Sequence, residues 1–237
     1  MLGITGGDPS FRNDDGSAHQ DVATALADFA AGHGTEHAVM TALASSRLLV
    51  PVVAVLADQI EPIQGEKASE MAMPTLVGFD GRQAVPAFTS LESMARWKSD
   101  ARPVPVPALA VWQSACADSC AVVIDVAGPV PFAVEGARLA ALARGEAAPL
   151  PFADPDVHEI AAAVLASRLD VASFELQPDD TGHDLAIVMV LTEHAAADGE
   201  RDVAELGVEV ADAVMARLSG RLKRGVAIWL GDHQDRS

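Results

Sequence analysis

Residues 73–97, MPTLVGFDGRQAVPAFTSLESMARW, constrain the fold of this chain more than any other stretch. Leu76, Val77 and Phe79 form a short apolar run, and Val85, Ala87 and Phe88 form a second. Between them, Asp80-Gly81 favours a tight hairpin turn, because glycine tolerates positive φ. Pro86 has no N–H to give a ladder, so the return strand lies at a sheet edge or is bulged there. Thr89 with Glu92 has the spacing of a capping box, which starts a helix. Leu91, Met94 and Trp97 then fall on one helical face, so Trp97 is expected to be buried against the hairpin of residues 75–88. A functional reading makes AFTS an exposed, hydroxyl-rich corner. A helix cap accounts for the same residues without any chemistry.

The rest of the chain is organised around this unit. Residues 1–16 are rich in Gly, Asp and Asn and read as a flexible terminus. Asp14-Asp15-Gly16 looks like part of a calcium loop, but Phe11 stands where the first acidic ligand belongs. Ser17 and Gln20 suggest a second capping box, followed by a helix bearing Val22, Leu26 and Phe29. Thr35 is placed to cap the next helix, with Val39, Met40 and Leu43 inside it. Leu48–Leu56 reads as a buried strand marked by Pro51, and residues 57–70 read as a loop. Pro103, Pro105 and Pro107 alternate with valines. That run is either a polyproline ligand or an edge segment leading into a helix, and Leu109, Trp112 and Cys116 at helical spacing favour the segment. A strand at AVVID and a short helix from Gly136 to Arg144 follow.

Residues 146–155 hold Pro149, Pro151 and Pro155 and read as a linker between domains spanning 17–145 and 156–237. Asp154 caps and Pro155 opens a helix with Val157, Ile160 and Val164. Strands at 171–176 and 185–191, a helix at 200–218 ending near Gly220, and a strand at 226–230 complete the pattern. The expected fold class is α+β, with two small domains, each a mixed or antiparallel sheet packed with helices. The second is an α-β-β-α-β module.

Composition narrows the function. Half of the 237 residues are apolar and 21% are charged, which argues against disorder. A net charge of −18 is a poor match for a phosphate backbone or an anionic membrane surface. Neither a secretory signal nor about 18 consecutive apolar residues is visible, so a soluble cytoplasmic protein is expected. Cys116 and Cys120 are too few for a disulfide framework and have no local metal-ligating company. They read as buried free thiols.

The sharpest catalytic candidate is His33-Gly34-Thr35-Glu36-His37, which matches the H-x-x-E-H pattern of inverted zinc proteases. That chemistry needs both histidines on one helical face, with Glu36 beside a metal-bound water. Gly34 and Thr35 are poor helix-interior residues, so the pair straddles a helix start instead. His158, His183, His194 and His233 are isolated in polar surroundings. No P-loop, nucleophile elbow or dinucleotide fingerprint is present. The expectation is therefore no catalytic, cofactor-binding or metal-ligating residue, and no cofactor.

SRLLVPVVAV, then MPTLVGFDGRQAVPAFTSLESMARW, then AVVIDVAGP together resemble the SseB family, named for a serine-sensitivity phenotype. The likeness covers about residues 20–145 as the SseB N-terminal domain. Residues 155–231 are similar in pattern to the C-terminal domain that accompanies it in many members. The lysine-poor, Ala- and Arg-rich composition looks like high-GC bacterial members. Where the family usually has Asn-Pro after the late strand, this chain has Ala127-Gly128-Pro129. The resemblance implies a fold, a cytosolic setting and a distant link to amino-acid metabolism, and it transfers no catalytic residue.

Two functions fit these observations. One is a non-catalytic interaction or scaffold protein that offers edge strands or an apolar groove to a protein partner, with Pro51, Pro86 and residues 103–107 marking such edges. The other is a sensor of an amino-acid-like metabolite, or a modest enzyme, with a site in the interdomain crevice around residues 146–155. Neither nucleic acid nor a membrane is an expected partner.

Overall fold

The computed structural model describes residues 11, 13–55, 70–72, 74–79, 81–197 and 203–231. The fold is α+β. The chain divides into two compact units, residues 1–26 with 40–147, and residues 27–39 with 148–237. Two helices come first, α1 (Gln20–Ala30) and α2 (Glu36–Ala44). Each of these two helices has residues in both units, and the elements that follow in the first unit are β1 (Arg47–Val55), β2 (Glu70–Ala72), β3 (Leu76–Val77), β4 (Gln83–Ala87), α3 (Leu91–Trp97), β5 (Arg102–Pro107), α4 (Ala108–Ala117), β6 (Ala121–Ile124), β7 (Phe132–Val134) and α5 (Gly136–Ala143). They build an antiparallel sheet, β2-β1-β5, and a mixed sheet, β3-β4-β6-β7.

Prolines decide where one sheet stops and the other begins. β1 and β4 meet in a single antiparallel bridge, in which Leu49 and Phe88 exchange hydrogen bonds of 2.8 and 2.9 Å. The next pair in that register is Pro51 opposite Pro86. Neither has an N–H, so the ladder ends after one step. The same alternation governs β5. Leu49 faces β4, so Leu48, Val50 and Val52 face β5 and pair with Val106, Val104 and Arg102. Pro103, Pro105 and Pro107 therefore face the outer edge, which is left without a donor at those positions. The proline run is thus an edge strand that leads into a helix, and Pro107 is the residue preceding α4.

The hairpin forms one residue earlier than Asp80-Gly81 suggests. The Gly81 N–H donates to the Gly78 carbonyl at 3.0 Å, and the Gly78 N–H donates to Arg82 at 2.8 Å. Phe79 is therefore a fully exposed turn residue and not part of a strand, while Gly81 supplies the expected positive φ of 80°. Asp80 and residues 57–69 lie outside the described residues.

Both capping boxes are corrected. Ser90, not Thr89, caps α3, and its side chain accepts from the Ser93 N–H at 3.1 Å. α1 starts at Gln20, and the Ser17 hydroxyl donates to Asp15 at 2.6 Å instead of capping it. The end of the expected flexible terminus is held in place. Asp14 pairs with Arg47, and the Leu91 N–H donates to the Gly16 carbonyl at 2.8 Å. Gly16 has φ +77°, which strains any other residue, and a Cβ there would lie 2.2 Å from Leu91 Cδ1 and force that side chain to move. On α3 the core residue is Met94, grouped with Leu49 and Phe88. Trp97 is only partly buried, with its ring 5.5 Å from that of Phe88, and Leu91 is exposed. The fully buried indole is that of Trp112.

The second unit contains a single turn of 3-10 helix (Pro151–Ala153), α6 (Pro155–Leu165), β8 (Val171–Gln177), β9 (Leu185–Leu191), α7 (Glu193–Ala197), α8 (Val203–Leu218) and β10 (Val226–Leu230). Asp154 caps α6 with Pro155 in the first turn, as the sequence pattern requires. The sheet order is β10-β9-β8, with β8 antiparallel and β10 parallel to the central strand. Val157, Ala161, Leu206, Val210, Val214 and Leu218 from α6 and α8 close over Leu176, Leu185, Ile187 and Met189. Those helical residues recur at intervals of four, which is why α8 could be read from its stripe. Gly220 does not adopt positive φ, so the end of α8 is not a left-handed glycine cap.

Candidate functional site

Four places in the described residues combine polar chemistry or exposed apolar surface. The first surrounds Thr89, in the AFTS corner. β6 ends beside it at Asp125, a residue with φ +49° and 4% exposure. Asp125 accepts from the Thr89 N–H at 2.9 Å and from the Thr89 hydroxyl at 2.6 Å, and the Ser93 side chain lies near it. Burial pushes the Asp125 carboxyl above its usual pKa, against the lowering effect of Thr89 and Ser93. Asp and Asn tolerate left-handed backbone better than most residues, which suits position 125. Thr89 is only 5% exposed and Ser93 7%, so no substrate reaches these groups. The corner is a buried pin between β4, β6 and α3, and nothing in it forms a nucleophile–base pair open to a cleft.

The second place contains the H-x-x-E-H motif. Thr35 caps α2, accepting from the Ala38 N–H at 3.1 Å. His33 precedes the helix and His37 lies within it, so they do not form a helical ligand pair. Glu36, 4% exposed, accepts two bonds from Arg221 Nε, at 3.1 and 3.2 Å, and one from Nη2 at 3.0 Å. Arg221 also pairs with the cap carboxylate Asp154, which is 1% exposed. Burial works against the guanidinium charge, but Glu36 and then Asp154 outweigh it and hold the Arg221 pKa above its usual range. The motif's carboxylate is thus spent on an arginine and is not poised beside a metal-bound water. Among the described residues, no group of His, Cys, Asp and Glu could hold a metal ion.

The third and fourth places are at the surface, one in each unit. In the first unit, a cavity of about 350 Å³ is lined by Arg82, Gln83, Cys116, Ser119, Cys120 and Glu135, among others. Arg82 Nη1 donates to Glu135 Oε2 at 2.6 Å across its mouth. Cys120 is buried, but Cys116 is exposed, which corrects the expectation of two buried thiols. In the second unit, a cleft of about 640 Å³ runs along β10 and is walled by Val203, Ala204, Gly207, Val208, Trp229 and Leu230, among others. Val208 is 62% exposed, Trp229 50% and Leu230 51%.

The sequence marked Thr89, Glu36 and Asp154, but not what they bind. Asp125 and Arg221 were missed because their partners lie far away along the chain. The exposure of Trp229 and Leu230 at the end of β10 has no local signal, because apolar residues on a strand read as buried. No helix among the described residues is long and apolar enough to cross a membrane.

The family model of the SseB protein N-terminal domain matches residues 22–141. No curated protein and no solved structure matches the chain. The matched stretch contains both sheets of the first unit, the Leu49–Phe88 bridge with its opposed prolines, and the Thr89–Asp125 pin. Residues 22–141 are just over half of the 237 residues, and the chain belongs to the SseB family.

Proposed function

We propose that this protein is a non-catalytic, cytoplasmic interaction protein that binds a protein partner on the face formed by β10 and α8. The observation that carries this reading is the exposed apolar wall of Val203, Val208, Trp229 and Leu230 around an open cleft. Contiguous exposed apolar surface next to a strand edge is a recurring mark of an interaction site. The buried polar groups favour the same reading, since Asp125, Glu36 and Asp154 are consumed by structural bonds. Affinity capture with the full chain, repeated with Val208→Lys, tests it. A partner recovered by the wild type, lost with Val208→Lys, and lost at an unchanged melting temperature is the expected result. Partners held equally by both forms, or none at all, would overturn the reading.

A sensor of an amino-acid-like metabolite is the second reading, and one observation favours it. Arg82 and Glu135 put opposite charges, 68% and 41% exposed, at the mouth of the 350 Å³ cavity. A zwitterion that displaced their mutual ion pair would set its carboxylate on Arg82 and its ammonium on Glu135. A thermal-shift series with serine and other amino acids tests this, because a ligand at 100 times its Kd stabilises by about 2.7 kcal/mol. No shift at millimolar concentrations would remove it.

A further inference from the structure

We infer that β10 and its cleft bind an extended segment of another protein, an apolar strand flanked by lysine or arginine, which pairs with β10 through main-chain hydrogen bonds. This rests on the interaction reading above and adds the occupant and its mode of binding.

The first support is the edge itself. The Gly231 N–H donates to the Met189 carbonyl at 2.9 Å, and the Gly225 carbonyl accepts from Asp184 at 3.0 Å. Residues 225, 227, 229 and 231 therefore face β9, and Val226, Ile228 and Leu230 direct their main-chain groups outward. Among the described residues no strand lies beyond β10. Edges are usually blunted against pairing by prolines, bulges or charge. β5 has proline at each of its three outward positions, and β8, at the other side of the same sheet, has a bulge near Val171 and the exposed Glu175. β10 has none of these. Its sequence, VAIWL, is wholly apolar.

The second support is the shape beside the edge. Gly207 of α8 faces the strand, where a Cβ would lie in ordinary contact, 3.6 Å from Ile228 Cγ2. With only a hydrogen at that position, the cleft between the helix and the strand edge stays open. A strand laid along β10 would place alternate side chains in that cleft and the others beside Trp229.

The third support is charge. Glu205 and Asp212 are exposed on the outer flank of α8, and Asp180 is exposed in the loop next to Thr181 at the other end of the cleft. The whole chain carries −18. Basic residues flanking the apolar strand would meet this rim, whereas a second copy would bring acidic surface against acidic surface.

The probe is a labelled peptide, Lys-Lys-Thr-Val-Ile-Val-Thr-Lys-Lys, followed by anisotropy on the full chain. It is compared with a glutamate-flanked version and with one N-methylated at alternate amides. The expected result is saturable binding to the lysine-flanked peptide, with each control weaker by about tenfold or more, and weaker binding at about 0.5 M salt than at about 0.05 M. Leu230→Pro removes an outward donor without touching the β9 pairing, and should weaken binding by about tenfold. Val208→Lys, on the facing helix, should do the same and guards against a folding defect in the proline variant. Equal binding of the lysine- and glutamate-flanked peptides, or full binding by both variants, would overturn the inference. So would a homodimer in sedimentation that Leu230→Pro dissolves, since the occupant would then be a second copy. If the lysine-flanked peptide fails to bind while partner capture is still lost with Val208→Lys, the occupant is wrong and the interaction reading stands.

Discussion

Thr89 shows how a residue can be picked correctly for the wrong bond. Its spacing to Glu92 is that of a capping box, yet its hydroxyl donates to Asp125 and Ser90 does the capping. Removing Asp125 leaves the Thr89 N–H and hydroxyl buried without a partner and puts a left-handed φ on an unsuited residue. Asp125→Ala should therefore cost about 2–4 kcal/mol in urea unfolding. Asp125→Asn keeps an acceptor for the N–H and tolerates the backbone, so it should cost under about 1 kcal/mol. The pH dependence has a defined sign. The folded carboxyl binds its proton more tightly than the unfolded one, so the wild type loses stability as pH rises from the unfolded carboxyl pKa through the raised folded value. Asp125→Asn lacks that loss, and its stability relative to wild type should improve across that window. Equal costs for the two variants would contradict the pin. None of this could be read from position 125 alone, because an aspartate at the end of an apolar strand is indistinguishable from a surface turn until its partner, 36 residues back, is placed.

At the scale of elements, the sequence was informative wherever the pattern was local and periodic. β9, β10, α6 and the stripe of α8 follow directly from their spacing, and the caps at Thr35 and Asp154 were legible from three or four residues. β7 and α7, at three and five residues, are too short to show a period. In sequence the prolines all read as edge marks, but their roles differ. Pro103, Pro105 and Pro107 do lie on an open edge, while Pro51 and Pro86 face each other and close a ladder between two strands. Replacing both Pro51 and Pro86 by valine restores two donors in register. Hydrogen exchange should then show new protected amides at both positions, while the stability changes little, because about 1–3 kcal/mol from two hydrogen bonds is largely offset by about 1–2 kcal/mol of unfolded-chain entropy that the prolines had removed. Fast exchange at both, in a folded double variant, would show that Leu49–Phe88 is a single bridge for some other reason.

For the whole molecule, the fold class and the family were legible, and the surface was not. Apolar residues on a strand predict burial, and no local pattern says that Trp229 and Leu230 stay half exposed. That depends on β10 being the last strand of its sheet, which is a property of topology. Strand pairing by a partner requires that open edge. Amide exchange measured by NMR on the full chain, with and without the lysine-flanked peptide, addresses it most directly. In the free protein, Ile228 and Leu230 should exchange far faster than Ala227 and Trp229, and saturating peptide should protect the first two. Uniform protection of all four amides in the free protein, or fast exchange at Ile228 and Leu230 that the bound peptide leaves unchanged, would contradict it.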